Sequence, residues 1–159
     1  MNSVLLLALG LIGTSAPVRV TCCYPSPRRS LVAVGDALGI VRIVDAARDS
    51  AFTRLPVNRG EVGALRWSSD GRRLAIASSA PDSGAWVVSW SVWDVDSGTK
   101  QFETEQPGRD VGDFTLDEHG ERLLVIASRR DGYLDSSAVG AVSDMDSASP
   151  ARNPQQRPM

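Results

Sequence analysis

The 159-residue sequence has a single histidine, His119, and only two cysteines, the adjacent Cys22 and Cys23. One imidazole and two neighbouring thiols cannot provide the spaced ligand set of a structural zinc site. Successive strand residues point to opposite faces, so the two thiols pair poorly with each other, and two cysteines make no disulfide framework. They are expected as free thiols of a reducing compartment, one buried and one partly exposed. No serine sits in a Gly-x-Ser-x-Gly elbow. No Lys-Ser or Lys-Thr follows the glycines around Gly35 and Gly39, which excludes a phosphate loop. A basic excess is missing too: 17 Lys and Arg stand against 19 Asp and Glu, a net charge of −2. Nucleic acid is therefore not an expected partner. The longest apolar stretch, Val4 to Gly13, is too short to span a membrane. Nowhere is a 3.6-residue period sustained, which excludes a helical solenoid and disfavours an α/β fold. No cofactor or metal is implied.

What the sequence does contain is internal repetition. The segment from Trp67 through Ser68, Ser69, Asp70, Gly71, Arg72 and Arg73 to Leu74 reads as strand, tight turn and strand. An Asp-Gly pair between apolar runs is a hairpin signal, because glycine takes positive φ at little cost. Leu116 to Ile126 repeats this pattern around Gly120, and Tyr24 to Val34 repeats it more weakly. Each copy places the first leucine of its second strand, Leu31, Leu74 or Leu123, seven positions after an apolar residue. A second anchor lies downstream: Val92-Trp93-Asp94 matches Ile43-Val44-Asp45 and Val142-Ser143-Asp144, so aspartates 45, 94 and 144 recur at intervals of 49 and 50. Short apolar strands open the units at Val18 to Tyr24, Val62 to Trp67 and Val111 to Leu116.

Together, Trp67-Ser-Ser-Asp-Gly-Arg-Arg-Leu-Ala and Val92-Trp93-Asp94-Val95-Asp96-Ser97-Gly98 resemble a WD repeat. The resemblance covers about residues 11–148 and is strongest over 62–98. It implies an all-β fold, a partial β-propeller of about three four-stranded antiparallel blades with the ring incomplete. It divides the chain into 1–17 (outer strand of a preceding blade, or a signal peptide), 18–61 (first blade), 62–110 (second), 111–146 (third, lacking its outer strand) and 147–159. That last stretch is rich in Ser, Pro, Gln, Asn and Arg and is expected to be disordered. The repeats are degenerate. The Gly-His pair of the blade junction is absent, only Trp93-Asp94 keeps the Trp-Asp dipeptide, and Leu38 stands where the first unit should carry the aspartate before its third strand.

The function this implies is a non-catalytic protein–protein interaction scaffold in the cytoplasm, as a fragment or truncated product of a larger ring. The alternative is a secreted or periplasmic propeller with a binding or hydrolytic role. Exposed blade edges would favour self-association. His119 reads as an exposed turn residue. Asp94, Asp96 and Gly98 echo a calcium loop, but no glutamate stands where its last ligand belongs. They read as a turn in which Asp96 and Ser97 bond the backbone. Trp90 and Trp93 read as packing between blades. Trp86, beside the Asp82-Ser83-Gly84 loop, is a candidate surface anchor. Arg72 and Arg73, with Arg129 and Arg130, are candidates for a patch on one face.

Overall fold

The computed structural model describes residues 17–57, 60–107, 109–129 and 139–142. The candidate outer strand before residue 17, the tail after 147, Asp144 and Arg130 lie outside them.

Among the described residues eleven strands form three antiparallel sheets. Sheet 1 is β1 (Val20–Pro25), β2 (Leu31–Asp36), β3 (Ile40–Asp45) and β4 (Ser50–Pro56), paired in chain order. Sheet 2 repeats the plan with β5 (Glu61–Trp67), β6 (Arg73–Asp82), β7 (Ala85–Asp94) and β8 (Thr99–Pro107). Sheet 3 comprises β9 (Arg109–Leu116), β10 (Leu123–Arg129) and β11 (Val139–Val142), and β10 is central. The chain is therefore all-β, a partial propeller with no closed ring among the described residues.

The middle strands are covered on both faces, which is why they read as apolar runs rather than as alternation. In β2 all six residues are buried. Leu31 and Ala33 face sheet 2 in a cluster with Ile43, Leu55, Leu65, Leu74 and Trp93. Val32 and Val34 pack on the other side with Val20. A second cluster joins sheet 2 to sheet 3 through Ala75, Val88, Trp90, Phe114, Leu116 and Leu123. Trp90 and Trp93 thus point to opposite faces of β7, each filling a different joint. Gly35 allows the first joint to close: a Cβ there would lie 2.6 Å from Val62 and 2.8 Å from the Cys22 sulfur. Burying these side chains stabilises each joint by roughly 1.5–3 kcal/mol per large residue.

Side chains set the turns. Ser68 Oγ accepts the Arg73 amide at 2.9 Å and donates to Asp70, whose Oδ1 accepts the Arg72 amide at 3.0 Å. In sheet 3 one carboxylate, that of Asp117, accepts both the Glu121 and the Arg122 amides at 2.7 and 3.1 Å.

Two turn expectations are corrected. The aspartate missing at Leu38 is supplied two residues earlier: Asp36 Oδ1 accepts the Leu38 and Ile40 amides at 2.9 and 3.0 Å, and Oδ2 pairs with Arg42 at 2.5 Å. Between β7 and β8 it is Asp94, not Asp96, that holds the turn, accepting the Ser97 amide and hydroxyl at 2.8 Å. The Asp96 carboxylate points outward instead, to Arg29 at 2.7 Å.

Candidate interaction surface

In an antiparallel meander alternate turns fall at the same end of the sheet. The β1–β2, β3–β4, β5–β6, β7–β8 and β9–β10 turns therefore share one end face. Neighbouring turns are joined across the gaps between sheets. Arg28 Nε donates to the Ser69 carbonyl at 3.2 Å, and the Arg29–Asp96 ion pair crosses the same joint. In the next joint the Asp70 amide donates to the Glu118 carbonyl at 3.3 Å and Arg73 Nη1 to the Gly120 carbonyl at 3.1 Å. The end face is a set of turns braced against each other rather than independent loops.

Between Arg29, Ser30, Leu31, Asp45, Arg48 and Phe52 this face holds a cavity of about 260 Å³. The Ser30 hydroxyl donates to Asp45 Oδ1 at 2.9 Å, and with the Ala47 and Arg48 amides it holds the Asp45 carboxyl below its usual pKa. For Asp70 and Asp94, burial pushes the pKa upward but is outweighed by hydrogen bonds from Ser68 and from Ser97, so both lie below the ordinary value.

The first strands of the three sheets, β1, β5 and β9, form a second feature. The Arg66 guanidinium lies between two rings, 5.1 Å from the centroid of Tyr24 on β1 and 5.5 Å from that of Phe114 on β9. It approaches Asp113 at 3.4 Å. Trp67 Nε1 donates to the Tyr24 carbonyl at 3.1 Å and Thr21 Oγ1 to the Val62 carbonyl at 2.6 Å. The three first strands are stitched to one another in this way. Burial raises the pKa of both thiols, that of half-buried Cys22 and that of exposed Cys23.

The residues singled out from the sequence are not all brought together. Arg72 is exposed on the end face. Arg73 is half-buried and spans the joint to Gly120. Trp86 opens the return strand of the β6–β7 hairpin, at the opposite end of sheet 2, and packs half-buried against the cluster containing Val88 and Trp90. Arg129 ends β10, paired in register with Arg109. A seven-residue strand is roughly 20 Å long, so Arg129 lies far from the β9–β10 turn. Arg130 lies outside the described residues. The sequence reading overlooked Arg48, Phe52 and Arg66. Arg48 and Phe52 carry no repeat signal, and Arg66 only precedes the Trp67 anchor. Among the described residues no group of three or more His, Cys, Asp or Glu side chains could hold a metal ion, and no helix is long and apolar enough to cross a membrane.

Antiparallel meanders, two of four strands and one of three, stacked through their faces with β1 against β5 and β5 against β9, define a segment of a β-propeller. Solved structures agree on this fold. The β-propeller domain of Cps50 (Swd1) from Myceliophteria thermophila is similar with a TM-score of 0.57 and 22% identity, over 74% of this chain and 35% of that one. The WD40 repeats of RRP9 are similar with a TM-score of 0.55 and 15% identity, over 70% of this chain and 33% of that one. The chain thus spans about a third of the length of the solved chains it matches. No family model and no curated protein matches the sequence.

Proposed function

We propose that this chain forms blades of a non-catalytic, cytoplasmic protein–protein interaction scaffold, its units running over residues 18–61, 62–110 and 111–146. The observation that carries this reading is the braced end face, where turns of three sheets are fixed to each other while Arg28, Arg48 and Arg72 remain exposed. A rigid framework presenting variable turn residues is suited to recognition, because little conformational entropy is lost on docking. The similarity to WD40 propellers supports the scaffold through its fold, although fold by itself does not confer function. Propellers usually close with four to eight blades, so the full binding disc needs blades beyond these three. Two free cysteines suit a reducing compartment.

The test is affinity capture with the full chain, set against a variant carrying Arg48→Gln and Arg72→Glu, neither of which braces a neighbouring sheet. Both positions are exposed, so circular dichroism should be unchanged. A protein retained by the parent chain and lost by the variant supports the end face as the binding surface. Identical capture by both forms overturns it.

A further inference from the structure

We propose that the cavity between the β1–β2 and β3–β4 turns takes the carboxylate side chain of an acidic residue that is flanked by an apolar residue on a protein partner. The inference rests on the scaffold reading and names the chemistry of one of its contacts.

The cavity, about 260 Å³, holds one side chain. Asp45 lies in its wall, but its carboxylate is already engaged. Oδ1 accepts from Ser30 Oγ at 2.9 Å, from the Ala47 amide at 2.9 Å and from the Arg48 amide at 3.3 Å. The Arg48 guanidinium reaches Oδ2 only at 3.4 Å, and its side chain is 78% exposed. Most of its fork of donors therefore faces solvent. On the other side, Arg29 lies over the Phe52 ring, 5.4 Å from the centroid, and is tied to Asp96 through Nη1. Two guanidinium groups thus flank an opening whose wall is an exposed phenylalanine. Arginine forks match a carboxylate in two-point geometry, and arginine with aromatic side chains dominates recognition surfaces.

The blade architecture does not require this arrangement. Sheet 2 builds the same turn around Asp94, but Ser97 stands in the place of Arg48 and Gly98 in that of Asp49. Asp49 nonetheless takes the glycine conformation, with φ of 55° against 67° for Gly98. Charge also narrows the ligand. Arg29 and Arg48 stand beside three carboxylates, those of Asp45, Asp96 and the adjacent Asp49, so the local charge does not draw in a free anion and only the solvent-facing donors of Arg48 can hold one. A useful ligand must also cover Phe52, which is 39% exposed. That requirement selects an acidic residue beside an apolar one and disfavours a bare anion.

The experiment is a titration of the full isotope-labelled chain, followed through its backbone amide resonances. The probes are the acetylated, amidated tetrapeptide Gly-Leu-Glu-Gly, its glutamine counterpart and inorganic phosphate. The glutamate peptide is expected to bind at about millimolar strength, where a single anchored side chain falls. It should shift amides of residues 29–31 and 45–52. Arg48→Gln and the glutamine peptide should each weaken binding at least about tenfold. Phe52→Ala should weaken the peptide, and phosphate should bind less tightly than the peptide throughout. Arg72→Gln, on the same end face, should change nothing. Equal binding of the two peptides, indifference to Arg48→Gln, or a dispersed spectrum without shifts would overturn the proposal. Peptide-dependent shifts at other turns of the end face would reject this cavity and leave the scaffold reading standing.

Discussion

Arg73 and Gly120 meet across the joint between sheets 2 and 3. Arg73 Nη1 donates to the Gly120 carbonyl at 3.1 Å, and a Cβ built on Gly120 would lie 2.7 Å from Arg73 Cβ. Gly120 has φ of 73°, so the position combines left-handed backbone with a contact that leaves no room for a side chain. Gly120→Ala is expected to cost about 2–4 kcal/mol, from backbone strain plus overpacking. Gly84 has φ of 86° but no atom within 4 Å, so Gly84→Ala should cost only about 1 kcal/mol. Thermal melts of the two variants separate strain from the contact, and equal losses would show that the joint contributes nothing.

Asp49 carries backbone strain that the equivalent Gly98 avoids. Aspartate tolerates the left-handed region better than most residues, and glycine gives back some stability through a freer unfolded chain. Asp49→Gly is therefore expected to stabilise by only about 0.5 kcal/mol. Chemical denaturation would check this, and a lower midpoint would mean that the Asp49 side chain has an unrecognised partner.

The Asp36–Arg42 pair is asymmetric, with the Asp36 side chain 1% exposed and that of Arg42 24%. Removing the carboxylate also orphans the Leu38 and Ile40 amides. Asp36→Ala should cost about 3 kcal/mol, the lower end for breaking a buried pair. Asp36→Asn keeps an acceptor for those amides and should cost less. If the two variants melted together, the amide contacts would carry no weight.

Acid should loosen the turns. Asp45, Asp70 and Asp94 all have pKa values held below the ordinary one in the folded chain. A carboxylate depressed in this way stabilises the fold at pH values above its unfolded pKa, about 3.9, and loses that contribution as pH falls through the folded value. The melting temperature should be flat from about pH 7 to 5 and drop below about pH 4. Asp94→Asn should make the drop shallower. A melting temperature that rose on acidification would contradict the assignment.

The repeats were legible because burial and turn chemistry act locally. Leu31 and Leu123 begin their strands, Leu74 follows one residue in, and all three are buried. Asp45 and Asp94 end theirs, as the spacing indicated. Asp36 was missed because it ends β2, two positions before the place that the resemblance marks, and its carboxylate reaches forward to the Leu38 and Ile40 amides. The end face was only half legible. Arg28 and Arg73 reach partners 41 and 47 residues away. Those contacts depend on how one sheet lies on the next, which no local pattern encodes. Arg129 looked equivalent to Arg72 by spacing from a turn, yet it closes the far end of its strand.

Among the described residues sheet 2 is the only one of the three that packs against another sheet through both of its faces. Contacts pass from β1 and β2 to β5, and from β5, β6 and β7 to β9. Such an assembly behaves as a one-dimensional lattice, in which each unit is held by its own strength and by its immediate neighbours. Opening an end sheet breaks one interface, while opening the central one breaks two. Amide protons of β6 and β7 should therefore be the last to exchange with solvent. Adding a blade at either end would transfer that protection outward, one sheet at a time.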